Sequence, residues 1–434
     1  MEYNVIMNRK DILKTIISDG QTTPLPKVWR RQLELPIDSE KIVTLTGVRR
    51  SGKTYHLFGT MEQLVESGVD STKLLYINFE DERLRLSGEE MDEILQAYRE
   101  LYPDTNLSDV YFFFDEIQEV DGWEKFVDRL YSSITKHIFI TGSNSKFLSK
   151  EIATSLRGRT ITYEVYPLSF SELASITYPD VDPNSSRGKA QLANLYDKYL
   201  IRGGFPEVIK SDDSIKDKIL QEYFNVMLLH DLVERYNISQ SVILKYFCKR
   251  VVATTASEFS VNKIYNELKS QGYHISKDTL YSYVDNIESI YLARFVPKYS
   301  ESFVKSENSQ KKVYIIDQGM GASLDFKLAG DKGRLLETTV ALELLKQGSQ
   351  IAYSQDETSE CDFVKINKEQ VIEAIQVTYD ISDKKTLERE INGLVRCCKR
   401  FGLSEGYILT IGADETNKVD GIDVHILSAW KYSY

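Results

Sequence analysis

The sequence is poor in cysteine, histidine and proline, has no long apolar run, and carries too little positive charge to offset its acids. Each shortage rules something out. The four cysteines, at positions 248, 361, 397 and 398, form no C-x-x-C pair, and adjacent Cys397 and Cys398 suit neither zinc nor a routine disulfide. Five scattered histidines supply no structural metal site. No apolar stretch approaches the roughly 20 residues of a membrane span, and MEYNVIMNRKDILK lacks the apolar centre of an export signal. A reducing cytoplasm, with no membrane partner, is the expected setting. With 54 Lys and Arg against 65 Asp and Glu, the net charge is −11, so the surface as a whole is no polyanion binder. Any nucleic-acid contact has to come from a local basic patch. With only nine prolines and 42% hydrophobic residues the composition is that of a globular chain, and 434 residues allow two to four separate cores.

What is present is sharper. In KIVTLTGVRRSGKT (Lys41–Thr54) a short β-rich run ends at Gly47, and Gly47, Val48, Arg49, Arg50, Ser51, Gly52, Lys53 and Thr54 fit the phosphate-loop pattern G-x-x-x-x-G-K-[ST] at every required position. Gly47 and Gly52 let the backbone curl so that successive N–H groups converge on a phosphate chain, and the next helix adds its positive dipole end. Lys53 brings a point charge to the β- and γ-phosphates, and the Thr54 hydroxyl can ligate Mg²⁺, so ATP with Mg²⁺ is the expected cofactor. Strands and helices then alternate to about Phe170, the signature of a parallel sheet covered on both faces.

VYFFFDEIQEV (Val110–Val120) reads as a buried strand whose C-terminal end carries Asp115 and Glu116, and that end faces the nucleotide in such a sheet. Asp115 is expected in the Mg²⁺ shell and Glu116 as the general base for water. HIFITGSNSKFL (His137–Leu148) offers Thr141, Ser143 and Asn144 to touch the γ-phosphate or the water. Asn144 is assigned the catalytic position, although an N-cap role suits Ser143 or Asn144 equally. Arg157 and Arg159 lie where an arginine could reach transferred phosphate, in cis or from a neighbouring subunit. Arg30 and Arg31, just ahead of the first core strand, read as surface solubility rather than nucleotide contact.

Upstream, Ile6, Ile12, Leu13, Ile16 and Ile17 have helical spacing, broken at Pro24 and Pro26. His230 and Asp231 read as structural. Downstream, VNKIYNELKSQGY and HISKDTLYSYVDNIESIYL, broken at Gly272 and capped at Ser276, have helix–turn–helix spacing, and KKVYIID supplies a wing. Between Ser241 and Lys312 eleven Lys/Arg face seven Asp/Glu, a locally positive segment in an acidic chain. Lys277, Thr279, Tyr281 and Ser282 would stand exposed at the start of the second helix, where a DNA reader places its contacts. The last segment opens with the helical GRLLETTVALELLKQG, then hairpin-like strands, a long helix over Lys384–Phe401 and two closing strands.

GVRRSGKT, FFFDEIQEV with Trp123, ITGSNSKFL, LRGR followed by YPLSFSEL, and LIRGGFPEV (Leu200–Val208) together resemble the AAA+-type ATPases of bacteria and archaea that carry a C-terminal extension. The resemblance covers nearly the whole chain. It implies an α/β protein with a P-loop, AAA+-like parallel sheet (41–173) after an N-terminal helix and connector (1–40). A helical lid (174–240), a winged helix (241–320) and an α/β domain like a PD-(D/E)XK nuclease (321–434) follow. It matches Lys53, Thr54, Asp115 and Glu116 to the family's loop and acid pair, and Gly158–Arg159 to its GR, which makes Arg159 the chosen arginine. Arg202 falls in the lid.

If Arg159 serves a neighbour's site, hydrolysis requires a homo-oligomer, such as a hexameric ring. In the nuclease-like domain Glu337 and Asp362 match two metal-holding acids. Gln376 and Thr378 stand where an acid-x-lysine pair is needed, and Glu373 comes three residues too early. A non-cleaving domain that recognises structured or branched DNA is the expectation. A protein-directed signalling or defence switch and an active metal-dependent nuclease are the competing readings.

Overall fold

The computed structural model describes residues 8–144, 156, 158–357, 359–412 and 414–434. Ile6 and Arg157 therefore lie outside the described residues. The chain divides into two compact units, Met1–Val165 and Tyr166–Tyr434.

The first unit begins with α1 (Arg9–Thr22), whose first turn is capped by the Asn8 side chain accepting from the Lys10 amide. Five strands follow: β1 (Ile42–Thr46), β2 (Leu74–Asn78), β3 (Tyr111–Asp115), β4 (Ile138–Gly142) and β5 (Thr160–Glu164). They form one sheet in the order β2-β3-β4-β1-β5, and every pairing in it is parallel. The helices α2 (Lys53–Glu66), α3 (Asp92–Leu101) and α4 (Trp123–Ser133) come from the connections.

Side chains alternate across the sheet, and the aromatic run in β3 fills both faces at once. Phe112 and Phe114 join Leu13, Ile16 and Ile17 of α1 and Trp123 of α4 in one apolar cluster. Phe113 joins Val43, Leu57, Met61 and Phe139 in the other, stacked on Phe139 with ring centroids 4.9 Å apart. The N-terminal helix is thus part of the first core, and all five residues of β1 are buried.

The second unit opens with α5 (Phe170–Thr177), entered through a reciprocal capping box between Ser169 and Glu172. Next come α6 (Ser186–Arg202) and α7 (Lys216–Val226). The Arg-Gly-Gly turn that ends α6 is locked against the start of a later helix, α11, introduced below. Asp317 accepts from the Gly204 amide at 2.7 Å and the Met320 amide at 2.8 Å, while the Gln318 amide donates to the Tyr199 carbonyl at 2.9 Å. A Cβ on Gly319 would lie 2.3 Å from the Arg202 carbonyl carbon and oxygen and 2.6 Å from the Gly203 nitrogen. Two glycine-bearing motifs far apart in sequence therefore meet backbone to backbone. Arg202 is spent on an ion pair with Asp217 of α7 at 2.9 Å.

Three further helices, α8 (Ser241–Ala253), α9 (Val261–Ser270) and α10 (Lys277–Ser289), are interleaved with β6 (Ser257–Phe259), β7 (Ala293–Val296) and β8 (Lys311–Ile315). These strands make a small antiparallel sheet with β8 in the centre. The α9–α10 turn passes through Gly272, whose φ of +84° favours glycine, and α10 starts where the Ser276 hydroxyl accepts from the Thr279 amide at 3.0 Å. Then come α11 (Gln318–Leu324) and α12 (Lys332–Lys346).

The rest of the unit is a six-stranded mixed sheet built from β9 (Gln350–Gln355), β10 (Glu360–Asn367), β11 (Gln370–Val377), β12 (Glu405–Thr410), β13 (Glu415–Val419) and β14 (Ile422–Ser428), with α13 (Lys384–Phe401) between β11 and β12. Leu336, Val340 and Leu344 of α12 pack on Phe363, Ile375 and Leu409, whereas Leu394 and Cys398 of α13 pack on Val364, Ala374 and Ile408 on the opposite face. All four cysteines are free and buried. Among the described residues no helix is long and apolar enough to cross a membrane.

Candidate functional site

The phosphate loop occupies the turn between β1 and α2, at the C-terminal edge of the parallel sheet. Gly47 has φ +152°, and a Cβ there would come within 2.2 Å of the Val165 carbonyl oxygen, so only glycine fits. Gly52, at φ +102°, is the N-cap of α2, and Arg50 is also left-handed at φ +67°. Val48, Ser51 and Lys53 are buried. The Lys53 ammonium donates to the carbonyls of Gly47 at 3.2 Å and Val48 at 3.3 Å and lies 3.4 Å from Glu116 Oε1. Arg49 pairs with Glu80 at 2.7 Å.

Arg31, expected to be a solubilising surface residue, instead places its guanidinium on the loop and donates to the Ser51 carbonyl at 3.1 Å. The connector before β1 is thus part of the loop's surroundings, which residue type alone does not show.

The acid pair converges on the same edge. The register of β2 on β3 sets Asn78 beside Asp115 and brings Tyr76 within reach of it. Asp115 Oδ2 accepts from the Thr54 hydroxyl at 2.7 Å and from the Tyr76 hydroxyl at 2.9 Å, and Asp115 Oδ1 accepts from the Thr141 hydroxyl. Thr141 also accepts from the Glu116 amide at 2.9 Å. Of the three β4 candidates, Thr141 therefore bridges both acids. Asn144, assigned the catalytic position from sequence, is buried two residues beyond the end of β4. Tyr76 escapes a sequence reading because LLYINF looks like plain buried strand.

Burial pushes the Asp115 carboxyl above its usual value, opposed by the hydroxyls of Thr141, Thr54 and Tyr76. Burial works the same way on Glu116, but there the Lys53 charge, the Gln118 amide and Arg49 together outweigh it and hold the carboxyl below its usual value. Glu116 is left-handed at φ +50°, and its Oε2 accepts from Gln118 Nε2 at 2.7 Å. The two acids are thus pushed in opposite directions, Asp115 toward its neutral form and Glu116 toward its ionised form.

The residues present fit a Mg-bound triphosphate. Among the described residues, Ser51 Oγ and Ser143 Oγ are buried without a hydrogen-bond partner, and the Lys53 ammonium meets its own loop and Glu116. Loop amides and Lys53 would hold the phosphates, and Thr54 with Asp115 would hold Mg²⁺. Thr141→Val, which keeps shape but removes the bridging hydroxyl, is expected to lower kcat by about 10–100-fold. Steady-state phosphate release at saturating Mg·ATP checks this, and an unchanged kcat would return the role to another β4 residue.

Arg159 is not in this constellation. Its carbonyl accepts from the Ile42 amide at 2.8 Å, at the start of β1, about 16 Å of strand away from the phosphate loop. Its guanidinium is engaged by Asp128 and Ser132 of α4. The reading of Arg159 as an arginine acting on phosphate in the same chain is therefore corrected: it ties β5 to α4.

In the second unit Glu337 and Asp362 are brought together, but around the ammonium of Lys312 at 3.1 Å each. Burial opposes that lysine's charge, and the surrounding carboxylates outweigh it and raise its pKa above the usual value. Among the described residues no group of three or more His, Cys, Asp or Glu is arranged to hold a metal ion.

A parallel sheet in which β4 lies between the loop strand and the acid strand, with a phosphate loop and an acid pair at one edge, defines a P-loop ATPase fold of the AAA type. Residues 39–174 match the family described as an AAA domain, and residues 193–331 match a domain of unknown function, DUF8612. An uncharacterized protein of Methanocaldococcus jannaschii, MJ1544, is 35% identical over 447 aligned residues, covering 100% of this chain and 97% of that protein. The chain belongs to the same family as MJ1544. An uncharacterized protein of Haemophilus influenzae is 30% identical over 91% of this chain and 94% of its own length. Among solved structures, the Walker-type ATPase paby2304 of Pyrococcus abyssi aligns with 69% of this chain and 99% of its own at 16% identity and a TM-score of 0.41, too low to argue from.

Proposed function

We propose that the chain is a Mg-dependent ATPase that works as a motor or switch on nucleic acid, with structured or branched DNA as the substrate class. The observation that carries the ATPase is the meeting of Thr54, Asp115, Glu116 and Lys53 at one sheet edge. The loop amides and Lys53 grip the phosphates. Bound Mg²⁺ would neutralise charge on the phosphate oxygens. Glu116 takes a proton from the attacking water, and Thr141 fixes the direction of both acids.

The DNA half rests on the second unit. The order α8, β6, α9, α10, β7, β8 supports a winged-helix reading, and Lys277, Tyr281 and Ser282 are exposed on the first turns of α10, the helix such folds offer to the major groove. Six mixed strands flanked by α12 and α13 support the nuclease-like reading of the C-terminal part. Homo-oligomeric assembly, a hexameric ring included, stays within the proposal for the solution mass to decide, and Arg159, remote from its own loop, is the residue that would serve a neighbour's site.

The test is ATP turnover and gel shift across single-stranded, duplex, forked and four-way-junction DNA, with wild type and Glu116→Gln. The proposal expects turnover stimulated by the structured forms, and binding that weakens steeply as salt rises. ATP turnover indifferent to every DNA would transfer the reading to a protein-directed switch.

A further inference from the structure

In the second unit a polar cleft of about 680 Å³ is lined by Glu337 of α12, Glu360 and Asp362 of β10, Gln376 of β11, and Arg389 and Arg396 of α13. Three of its carboxylates point at one place. That place is filled by Nζ of Lys312, which arrives from β8 of the small antiparallel sheet. The ammonium lies 2.6 Å from Glu360 Oε1 and 3.1 Å from both Glu337 Oε1 and Asp362 Oδ1. An ammonium has three N–H donors, and here it meets three carboxylates. The lysine side chain is 6% exposed.

Two of these carboxylates carry further bonds. Asp362 Oδ2 accepts from the Val377 amide at 3.0 Å, and Glu337 Oε1 takes a second bond from the Tyr314 hydroxyl at 2.8 Å. Gln376, standing where a third acid would be needed, accepts from the Asp362 amide at 3.3 Å and donates to Glu390 at 2.5 Å. Its amide closes that corner instead of opening it. Glu390 is further held by Arg389 at 2.6 Å. Mg²⁺ needs about six oxygens at roughly 2.0–2.1 Å in near-octahedral array, which this hydrogen-bonded lattice does not offer.

We propose that Lys312 is the resident cation of this cleft: its ammonium takes the seat that a divalent ion would need, so the cleft holds no metal and performs no metal-dependent strand cleavage. Glu337 and Asp362 then serve as counter-charges for a lysine contributed by the neighbouring sheet. The inference rests on the cluster itself and is independent of whether the protein acts on DNA. A divalent ion could enter only by expelling Lys312, which would leave an ammonium buried without its partners.

The test is Mn²⁺ binding to the full-length, nucleotide-free protein, counted by electron paramagnetic resonance. Four proteins are compared: wild type, Asp362→Asn, Lys312→Met, and Lys312→Met with Asp362→Asn. Weak binding at the phosphate loop is common to all four and cancels. Wild type and Asp362→Asn are expected to bind the same number of ions. Lys312→Met is expected to gain one ion per chain and to lose it again in the double variant.

An extra ion in wild type that disappears in Asp362→Asn overturns the proposal. So does a folded Lys312→Met that gains none. Removing Lys312 leaves buried carboxylates unpaired and destabilises the second unit. If that variant fails to fold, wild type against Asp362→Asn still decides the matter.

Discussion

Glu116→Gln stops ATP turnover and leaves the nucleotide bound: kcat falls by about 10²–10⁴-fold while the affinity for Mg·ATP is unchanged or tighter. The substitution keeps size and hydrogen-bonding capacity but removes the base. Glu116 is buried, and the Lys53 charge, the Gln118 amide and Arg49 hold it ionised against the effect of burial. Asp115 does not take over, because its carboxylate is committed to the hydroxyls of Thr54, Tyr76 and Thr141. Affinity survives because Glu116 and phosphate compete for the same ammonium. With the carboxylate neutralised, Lys53 is left to its own loop carbonyls and to the ligand. Phosphate release and binding of a fluorescent ATP analogue separate the two effects. Turnover within about threefold of wild type would dismiss Glu116 as the base.

Gly319→Ala should lower the stability of the second unit by roughly 3 kcal/mol, with a fall of about 10 °C in its unfolding temperature. The added methyl would meet the Arg202 carbonyl at 2.3 Å and the Gly203 nitrogen at 2.6 Å, all backbone atoms with no rotamer to change. Relief requires separating α6 from α11, which strains the Asp317 bonds to Gly204 and Met320 and the Gln318 bond to Tyr199. Calorimetry with and without Mg·ATP distinguishes the units, since the nucleotide stabilises only the unit that binds it. An unshifted transition would show that α6 and α11 are not locked in solution.

The residues legible in the sequence are those whose partners lie close along the chain. Gly47–Thr54 announces itself because one turn supplies every phosphate contact. Asp115 and Glu116 are legible because an apolar strand ending in acids has one sensible orientation in a parallel sheet. The Lys384–Phe401 helix follows from its periodicity. Long-range pairings are a different matter. Tyr76 meets Asp115, 39 positions away, through strand register, and Arg31 meets Ser51 through the path of a connector without regular structure. Lys312 meets Asp362 across 50 positions and two sheets. Spacing carries no trace of such meetings.

That Thr141 bonds both acids is not legible in the sequence, for a subtler reason. Small polar residues cluster at the end of β4, and only the alternation of side chains along the strand decides which hydroxyl faces β3. Arg159 lies just before β5, at the end of the sheet away from its own phosphate loop, which proximity in sequence does not reveal. The nuclease-like acids come together as expected, and the cation between them is the chain's own.

The contact between Gly47 and Val165 has a mechanical meaning. The first residue of the phosphate loop leans directly on the last residue before the chain leaves the first unit, and the Val165 amide is bonded to the Thr46 carbonyl at 2.7 Å. No side chain cushions that junction. Any side chain at position 47 would therefore press on the Val165 peptide group itself, with no rotamer available to relieve it.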